Sequence, residues 1–239
     1  MNDPIVVIGA GAAGFVAAIF AAGGPEGAGG PVSAAPNSPR RVLLLERTHD
    51  GGRKILMSGG GRCNVLPSEL DPARFVTASS PNTLKKLLLA WPLREQRRFF
   101  EEDLKIPLAL EEETGKLFPV SNKSKDVRDA LRTMAERNGV EMRFDTYVNG
   151  LEREAGTAGG GGAAAGDASP AWRVRLANGS ALLASRVIIA TGGLSVPATG
   201  SDGTGIDLVR RLGHTIHDTY PALTPLTAVP HRYVALSGV

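Results

Sequence analysis

Ile5-Val6-Val7-Ile8-Gly9-Ala10-Gly11-Ala12-Ala13-Gly14 is the stretch on which the reading of this 239-residue chain turns. Four consecutive β-branched residues suit a strand buried on both faces, as in a parallel sheet. The next six match G-x-G-x-x-G, and residues 12–22 are rich in alanine and read as a helix. Glycines placed between strand and helix have a mechanical logic. Gly9 permits a tight turn, Gly11 lets backbone approach a pyrophosphate, and Gly14 lets the helix lie close on the strand. The helix start, with Ala12 and Ala13 in its first turn, offers free N–H groups and a positive dipole end to phosphates. The pattern predicts a dinucleotide-binding strand-turn-helix; a plain tight turn is the alternative.

Working outward, Val42-Leu43-Leu44-Leu45 reads as a second buried strand ending at Glu46, which Arg47 follows. Glu46 lies 37 residues after Gly9, but residues 24–39 form a low-complexity loop; with those 16 discounted, 21 remain. A carboxylate about 20 residues beyond the turn accepts ribose hydroxyls and repels a 2′-phosphate. An adenine dinucleotide, NAD or FAD, is implied; a surface glutamate is the alternative. Further along, residues 82–103 carry two helical patterns broken at Pro92, with Leu84, Leu87, Leu88, Trp91, Phe99 and Phe100 as the apolar set. Residues 126–138 read as a helix capped by Ser124 and stopped by Gly139. Strands are expected at 141–144, 147–152, 172–176, 181–184 and 186–190, with Asn178-Gly179 as a tight turn, and a short helix at 205–212. Strands alternating with helices predict an α/β fold. It is a doubly wound parallel sheet with a small antiparallel β-meander insertion.

Composition narrows the function classes. Hydrophobic content of 42% with 21% charged residues excludes a disordered or fibrous chain. The net charge is only +3, and no nucleic-acid motif accompanies Lys85, Lys86, Arg94, Arg97 and Arg98, or the loop residues Lys123 and Lys125. A single cysteine, Cys63, excludes an internal disulfide and suits a reducing compartment. The four histidines have no partners at zinc spacing, so no metal site is expected. The apolar run 5–22 lacks the preceding positive charge of a signal peptide, and its glycines sit where a strand-turn-helix needs them. A cytoplasmic protein is expected, without membrane attachment. G-x-S-x-G and G-x-x-x-x-G-K-[ST] are both missing, which removes lipase-type hydrolase and P-loop kinase readings.

Glycine is the outlier, 30 of 239 residues. Eleven fall in the low-complexity insertions 23–39 and 155–171, and thirteen in runs at 9–14, 51–61 and 192–205. The second run lies within Gly52-Arg53-Lys54-Ile55-Leu56-Met57-Ser58-Gly59-Gly60-Gly61-Arg62-Cys63-Asn64-Val65. It is followed by Gly115-Lys116-Leu117-Phe118-Pro119-Val120-Ser121-Asn122-Lys123, then by Ala190-Thr191-Gly192-Gly193-Leu194-Ser195-Val196-Pro197-Ala198-Thr199-Gly200-Ser201. In this order the three segments resemble the FAD-dependent oxidoreductases of the BaiN-like type, a family that includes proteins described as aminoacetone oxidases and dehydro-bile-acid reductases. Lys116 stands where the family more often has arginine. The resemblance covers the chain outside the two insertions.

The resemblance implies an FAD-binding Rossmann-like domain and FAD as cofactor, with NAD(P)H a candidate electron donor. The implied cofactor-binding residues are Gly9, Gly11, Ala12, Ala13, Gly14, Glu46, Arg47, Gly52, Arg53, Lys54, Ser58, Gly59, Gly60, Arg62, Cys63, Asn64, Val148, Ala190, Thr191, Gly192 and Gly193. The loop 58–64 can wrap an anion with its N–H groups, flanked by Arg53 and Arg62. A surface ion-pair partner is the alternative reading of Arg62, and a small buried residue that of Cys63. No catalytic acid or base is legible.

The expected function is hydride transfer to or from a small organic substrate. A non-catalytic dinucleotide-binding fragment is one alternative; the other is a flavin-dependent RNA-modifying protein using the basic residues near 94–98. In the family pattern residue 239 lies near the start of a second, substrate-facing domain, so the implied division is 1–225 and 226–239. The family's later G-E-hydrophobic-hydrophobic-D segment and G-G-x-N run do not occur here. The expectation is an N-terminal portion of a longer enzyme with a nearly complete pyrophosphate and adenosine site.

Overall fold

The computed structural model describes residues 3–25, 41–77, 80–154 and 172–222. Most of the insertion 23–39, the whole insertion 155–171 and the expected start of a second domain at 226–239 lie outside these residues.

Strand β1 (Ile5–Ile8) runs into helix α1 (Ala12–Ala21), and strand β2 (Val42–Leu45) lies parallel to β1, with Val6 opposite Leu43 and Val7 opposite Leu44. A five-residue helix α2 (Arg53–Met57) follows β2. Beyond it come a short strand β3 (Leu66–Pro67) and helices α3 (Pro81–Ala90) and α4 (Leu93–Arg98); α4 continues as a wider π turn over Phe99–Asp103. Strands β4 (Leu108–Glu111) and β5 (Lys116–Pro119) form an antiparallel hairpin, and β3 pairs with β5 to complete a small sheet. Helix α5 (Ser124–Arg137) leads to strand β6 (Glu141–Arg143), which pairs parallel to β2. Strands β7 (Val148–Arg153), β8 (Trp172–Leu176) and β9 (Ala181–Ala184) make the antiparallel meander. Strand β10 (Arg186–Ile189) returns parallel to β1, and helix α6 (Thr204–Arg211) follows.

The central sheet is parallel throughout, in the order β10-β1-β2-β6. Successive strand side chains point to opposite faces, and here both faces are covered. Val7 and Leu44 pack with Phe15 and Ile19 of α1 and Val127 and Leu131 of α5. Val6, Ile8, Leu43 and Leu45 pack instead against Val174 and Leu176 of the meander and Leu208 of α6. That explains why β1 and β2 are wholly apolar rather than alternating: neither face meets water.

Several expectations need correction. Ser124 does not cap α5. The helix already includes it, its hydroxyl donates to the Leu56 carbonyl at 3.1 Å, and Lys125 belongs to the helix rather than to a loop. Leu87 is 67% exposed, because α3 buries none of its residues. Helix α2 and the β3-β5-β4 sheet have no counterpart in the sequence reading: five residues are too few to display a helical period, and β3 has only two. Among the described residues no helix is long and apolar enough to cross a membrane.

A dinucleotide cleft at the ends of the parallel strands

The C-terminal ends of β1, β2 and β10 open into a cleft of about 880 Å³, a size typical of a cofactor pocket. It lies where ligands bind in open α/β sheets, outside the carboxyl ends of the strands. Its floor is the turn after β1. Gly9 has φ +102°, and a Cβ there would stand 2.7 Å from the Ala190 carbonyl oxygen. Gly14 does not line the cleft; a Cβ on it would lie 1.7 Å from the Gly9 carbonyl oxygen, so its role is to let α1 lie against the turn. Gly11 is different: nothing comes within 4 Å of the place its Cβ would take. The first intrahelical bond runs from the Phe15 N–H to the Gly11 carbonyl, so the amides of Gly11, Ala12 and Ala13 begin the helix without partners inside it. An open cradle whose donors have no partner among the described residues, set between two glycines that are close-packed, fits a pyrophosphate.

Glu46 ends β2 facing this turn. Its Oε2 accepts the Ala10 N–H at 2.7 Å, and its Oε1 accepts both the Thr48 N–H and the Thr48 hydroxyl at 2.8 Å. Three of the roughly four lone-pair sites of a carboxylate are thereby used within the chain, leaving one on Oε2. Buried Thr48 is steadied in turn, since its hydroxyl accepts the Gly51 N–H at 3.3 Å. Arg47 turns sideways: its Nη1 donates to Asp202 at 2.7 Å, and its guanidinium lies 5.5 Å from the centre of the Tyr147 ring. Asp202 also receives the Thr204 hydroxyl at 2.7 Å, and Tyr147 and Thr204 share a hydroxyl contact at 3.3 Å. The Arg47 and Thr204 bonds hold the Asp202 carboxyl down to about 2.

The second wall comes from α2 and the glycine loop. Gly51 and Gly52 adopt φ +61° and +67°, which turns the chain from β2 into α2. Arg53 lines the cleft but is engaged with Asp50 at 2.9 Å; Lys54 lines it without an ion-pair partner among the described residues. Ser58, Cys63 and Asn64 reach the cleft, whereas Gly59, Gly60 and Arg62 do not. Cys63 is buried, and desolvation pushes its thiol up to about 11. The third wall holds Val148, Ala190, Thr191 and Gly192, while Gly193 stays outside.

Gly200 and Gly205, from the glycine run already singled out at 192–205, line the cleft, as do Thr48, Tyr147, Ser201 and Thr204, which the sequence reading missed. That run was the available signal for Ser201 and Thr204. A Cβ on Gly205 would fall 1.9 Å from the Thr191 hydroxyl and 3.0 Å from Ile189, so this glycine lets α6 sit against the end of β10. One on Gly192 would fall 2.4 Å from the Ser201 hydroxyl, so that glycine lets the loops after β10 and before α6 close on each other. No local pattern marks Thr48 or Tyr147. The arginines of α4 are paired with glutamates: Arg94 and Arg98 with Glu95, and Arg97 with Glu101.

Comparison with known proteins agrees with this geometry. The family model described as HI0933-like protein Rossmann domain matches residues 3–229. The 3-dehydro-bile acid delta(4,6)-reductase of Clostridium scindens is 29% identical over 98% of this chain and 50% of its own length. The ribosomal RNA dihydrouridine synthase of Escherichia coli is 29% identical over 93% of this chain and 47% of its own. The chain thus spans about half the length of these curated relatives. Among solved structures, 3-ketosteroid-delta4-(5alpha)-dehydrogenase from Rhodococcus jostii RHA1 superposes with a TM-score of 0.57 at 17% identity, covering 89% of this chain and 54% of that one. Thermovibrio ammonificans THI4 gives 0.50 at 14% identity, covering 90% and 64%. These two likenesses concern the fold. Fold, motif order and family match together make the chain a member of the HI0933-like Rossmann domain family.

Proposed function

We propose that this chain is the FAD-holding portion of an oxidoreductase that transfers hydride to or from a small organic substrate, with NAD(P)H as the electron donor. The observation that carries the reading is the open cradle above Gly11, backed by helix-start amides without partners among the described residues, in a cleft of dinucleotide size. Bound FAD supplies the two-electron redox chemistry. The chain's task is to bind and orient. The Gly11, Ala12 and Ala13 amides receive the pyrophosphate, and the remaining Oε2 site of Glu46 accepts one ribose hydroxyl. Val148 borders the adenine, and Lys54 supplies positive charge that no carboxylate among the described residues neutralises. Ser58, Cys63 and Asn64 face the more distant part of the cofactor.

The reductase relative supports a small-molecule substrate. We assign residues 1–225 to the cofactor domain. The substrate-facing domain begins at 226 in this proposal, and the half-length match to the relatives supports a further part of the protein that completes the flavin-ring and substrate subsites. RNA modification is the second reading, favoured by the dihydrouridine synthase relatives; the self-paired arginines of α4 leave that helix little free positive charge.

Titration of the purified chain with FAD, NAD and NADPH, followed by flavin absorbance and fluorescence, tests the reading. Saturable one-to-one FAD binding that Lys54→Met weakens supports it. Binding of NAD in place of FAD, or of neither, overturns it. Salt-dependent RNA retention at low ionic strength would promote the second reading.

A further inference from the structure

We propose that Arg62 is a positioning residue: it fastens the glycine loop 58–64 to the β4–β5 hairpin through Glu111 and Phe118, and does not itself reach the cofactor. This rests on the cleft being the FAD site. The guanidinium makes three contacts, none of them toward the cleft. Its Nη1 donates to Glu111 Oε1 at 2.8 Å, its Nε donates to the Gly59 carbonyl at 3.3 Å, and its face lies 4.1 Å from the centre of the Phe118 ring. One side chain therefore grips the backbone of its own loop and a neighbouring sheet together. The anchor is itself held: the Thr114 hydroxyl donates to the other Glu111 oxygen at 2.6 Å, and Glu111 sits opposite Lys116 in the β4–β5 register.

Phe118 completes the clamp from below. A Cβ on Gly59 would stand 2.7 Å from its ring edge, so the ring touches the Gly59 backbone on one side and the Arg62 guanidinium on another. The loop needs such a clamp. Gly59, Gly60, Gly61 and Cys63 all have positive φ, at +58°, +65°, +87° and +67°. Four left-handed residues within five positions break the short 3-10 turn over 58–61, which is held from within by turn bonds such as Cys63 N–H to the Ser58 carbonyl at 2.9 Å. Cys63 is the residue for which this conformation is least natural. Ser58, Cys63 and Asn64, which flank the clamp, line the cleft, while Arg62 does not. Its charge is neutralised by Glu111, and its planar stacking is a task lysine cannot take over.

The test uses the full chain and five proteins: wild type, Arg62→Lys, Arg62→Met, Glu111→Gln and the Arg62→Met/Glu111→Gln double variant. Amide hydrogen exchange of residues 58–64 is read without FAD. Affinity, its salt dependence and the absorption bands of the bound flavin are read with FAD. Each single change, the lysine included, is expected to speed loop exchange and weaken FAD binding by about two- to fivefold, the scale of a partly exposed ion pair. The double variant should add nothing further, the flavin bands should shift, and the salt dependence should match wild type because no phosphate contact is lost. Unchanged loop exchange in both Arg62→Met and Glu111→Gln overturns the proposal. So does a weaker, less salt-dependent FAD affinity in Arg62→Met with Glu111→Gln unaffected, which would mark Arg62 as a phosphate ligand. Wild type that fails to bind FAD removes the cofactor reading, and the exchange measurement still decides whether the clamp exists.

Discussion

The backbone N–H of Ala10 donates to Glu46 Oε2 at 2.7 Å, fastening the acid at the end of β2 to the glycine turn at the end of β1. The residue expected to hold a ribose thus holds the turn as well. Both jobs use the same carboxylate, so its removal should be felt with no cofactor present.

Glu46→Ala is expected to destabilise the cofactor-free chain by about 1–3 kcal/mol, because the Ala10 and Thr48 amides lose their acceptor in a partly buried site. Glu46→Gln keeps one acceptor oxygen and should cost less. Urea unfolding of the three proteins measures this. Coincident midpoints would show that the carboxylate is not the acceptor on which the turn depends.

Two glycines of one motif should separate folding from binding. Gly14→Ala puts a methyl 1.7 Å from a backbone oxygen, and should cost about 1–3 kcal/mol or more of stability. Gly11→Ala meets open space at φ −79°, so unfolding should move by no more than about 0.5 kcal/mol. FAD affinity should nevertheless fall about tenfold or more, since the methyl occupies the approach to the turn. Thermal unfolding paired with flavin titration decides it; a Gly11→Ala protein that binds FAD like wild type would remove the cradle from the site.

Cys63 should behave as an inert thiol at neutral pH. Burial raises its pKa from 9.0 to about 11, so the folded state keeps its proton where the unfolded state loses it. The stability this contributes is present below pH 9 and is lost as pH rises toward 11. Alkylation by iodoacetamide should be slow at pH 8 and accelerate only toward pH 11. Rapid modification at pH 7 in the folded chain would contradict the burial.

The Arg47–Asp202 bond ties the segment after β2 to the segment before α6, beside the cleft-lining residues Ser201 and Thr204. Asp202 is held at about 2 against an ordinary 3.8, chiefly by Arg47 and then by Thr204. A lowered carboxyl contributes stability above pH 3.8 that disappears as pH falls toward 2. Both side chains are about a third exposed, so Asp202→Asn should cost only about 0.5 kcal/mol. Its sharper effect should be faster release of bound FAD, seen by stopped-flow displacement. An unchanged release rate would show that this bond does not restrain the cleft.

Much of this molecule is legible along the chain because its logic is local. A wholly apolar run such as 5–8 announces a strand covered on both faces, and the spacing of Gly9, Gly11 and Gly14 announces the turn and helix that follow. Glu46 could be placed once the insertion was discounted, and the order of the three glycine-bearing motifs identified the family. Residues whose neighbours lie far away in sequence were not legible. Thr48 and Tyr147 belong to the cleft only because β2, the start of β7 and α6 converge there. Arg62 read along the chain as an anion ligand, with an ion-pair partner as the alternative, and only the fold shows that the β4–β5 hairpin sets Glu111 and Phe118 against it. Gly59 likewise needed the structure: its missing side chain makes room for the Phe118 ring, whereas the packing role read for Gly14 along the chain matches the 1.7 Å approach of a Cβ there to the Gly9 carbonyl. Backbone conformation and patterning depend on adjacent residues and can be read in order. The direction of a long charged side chain depends on which partner the fold brings within 3 Å, and only the tertiary structure decides that.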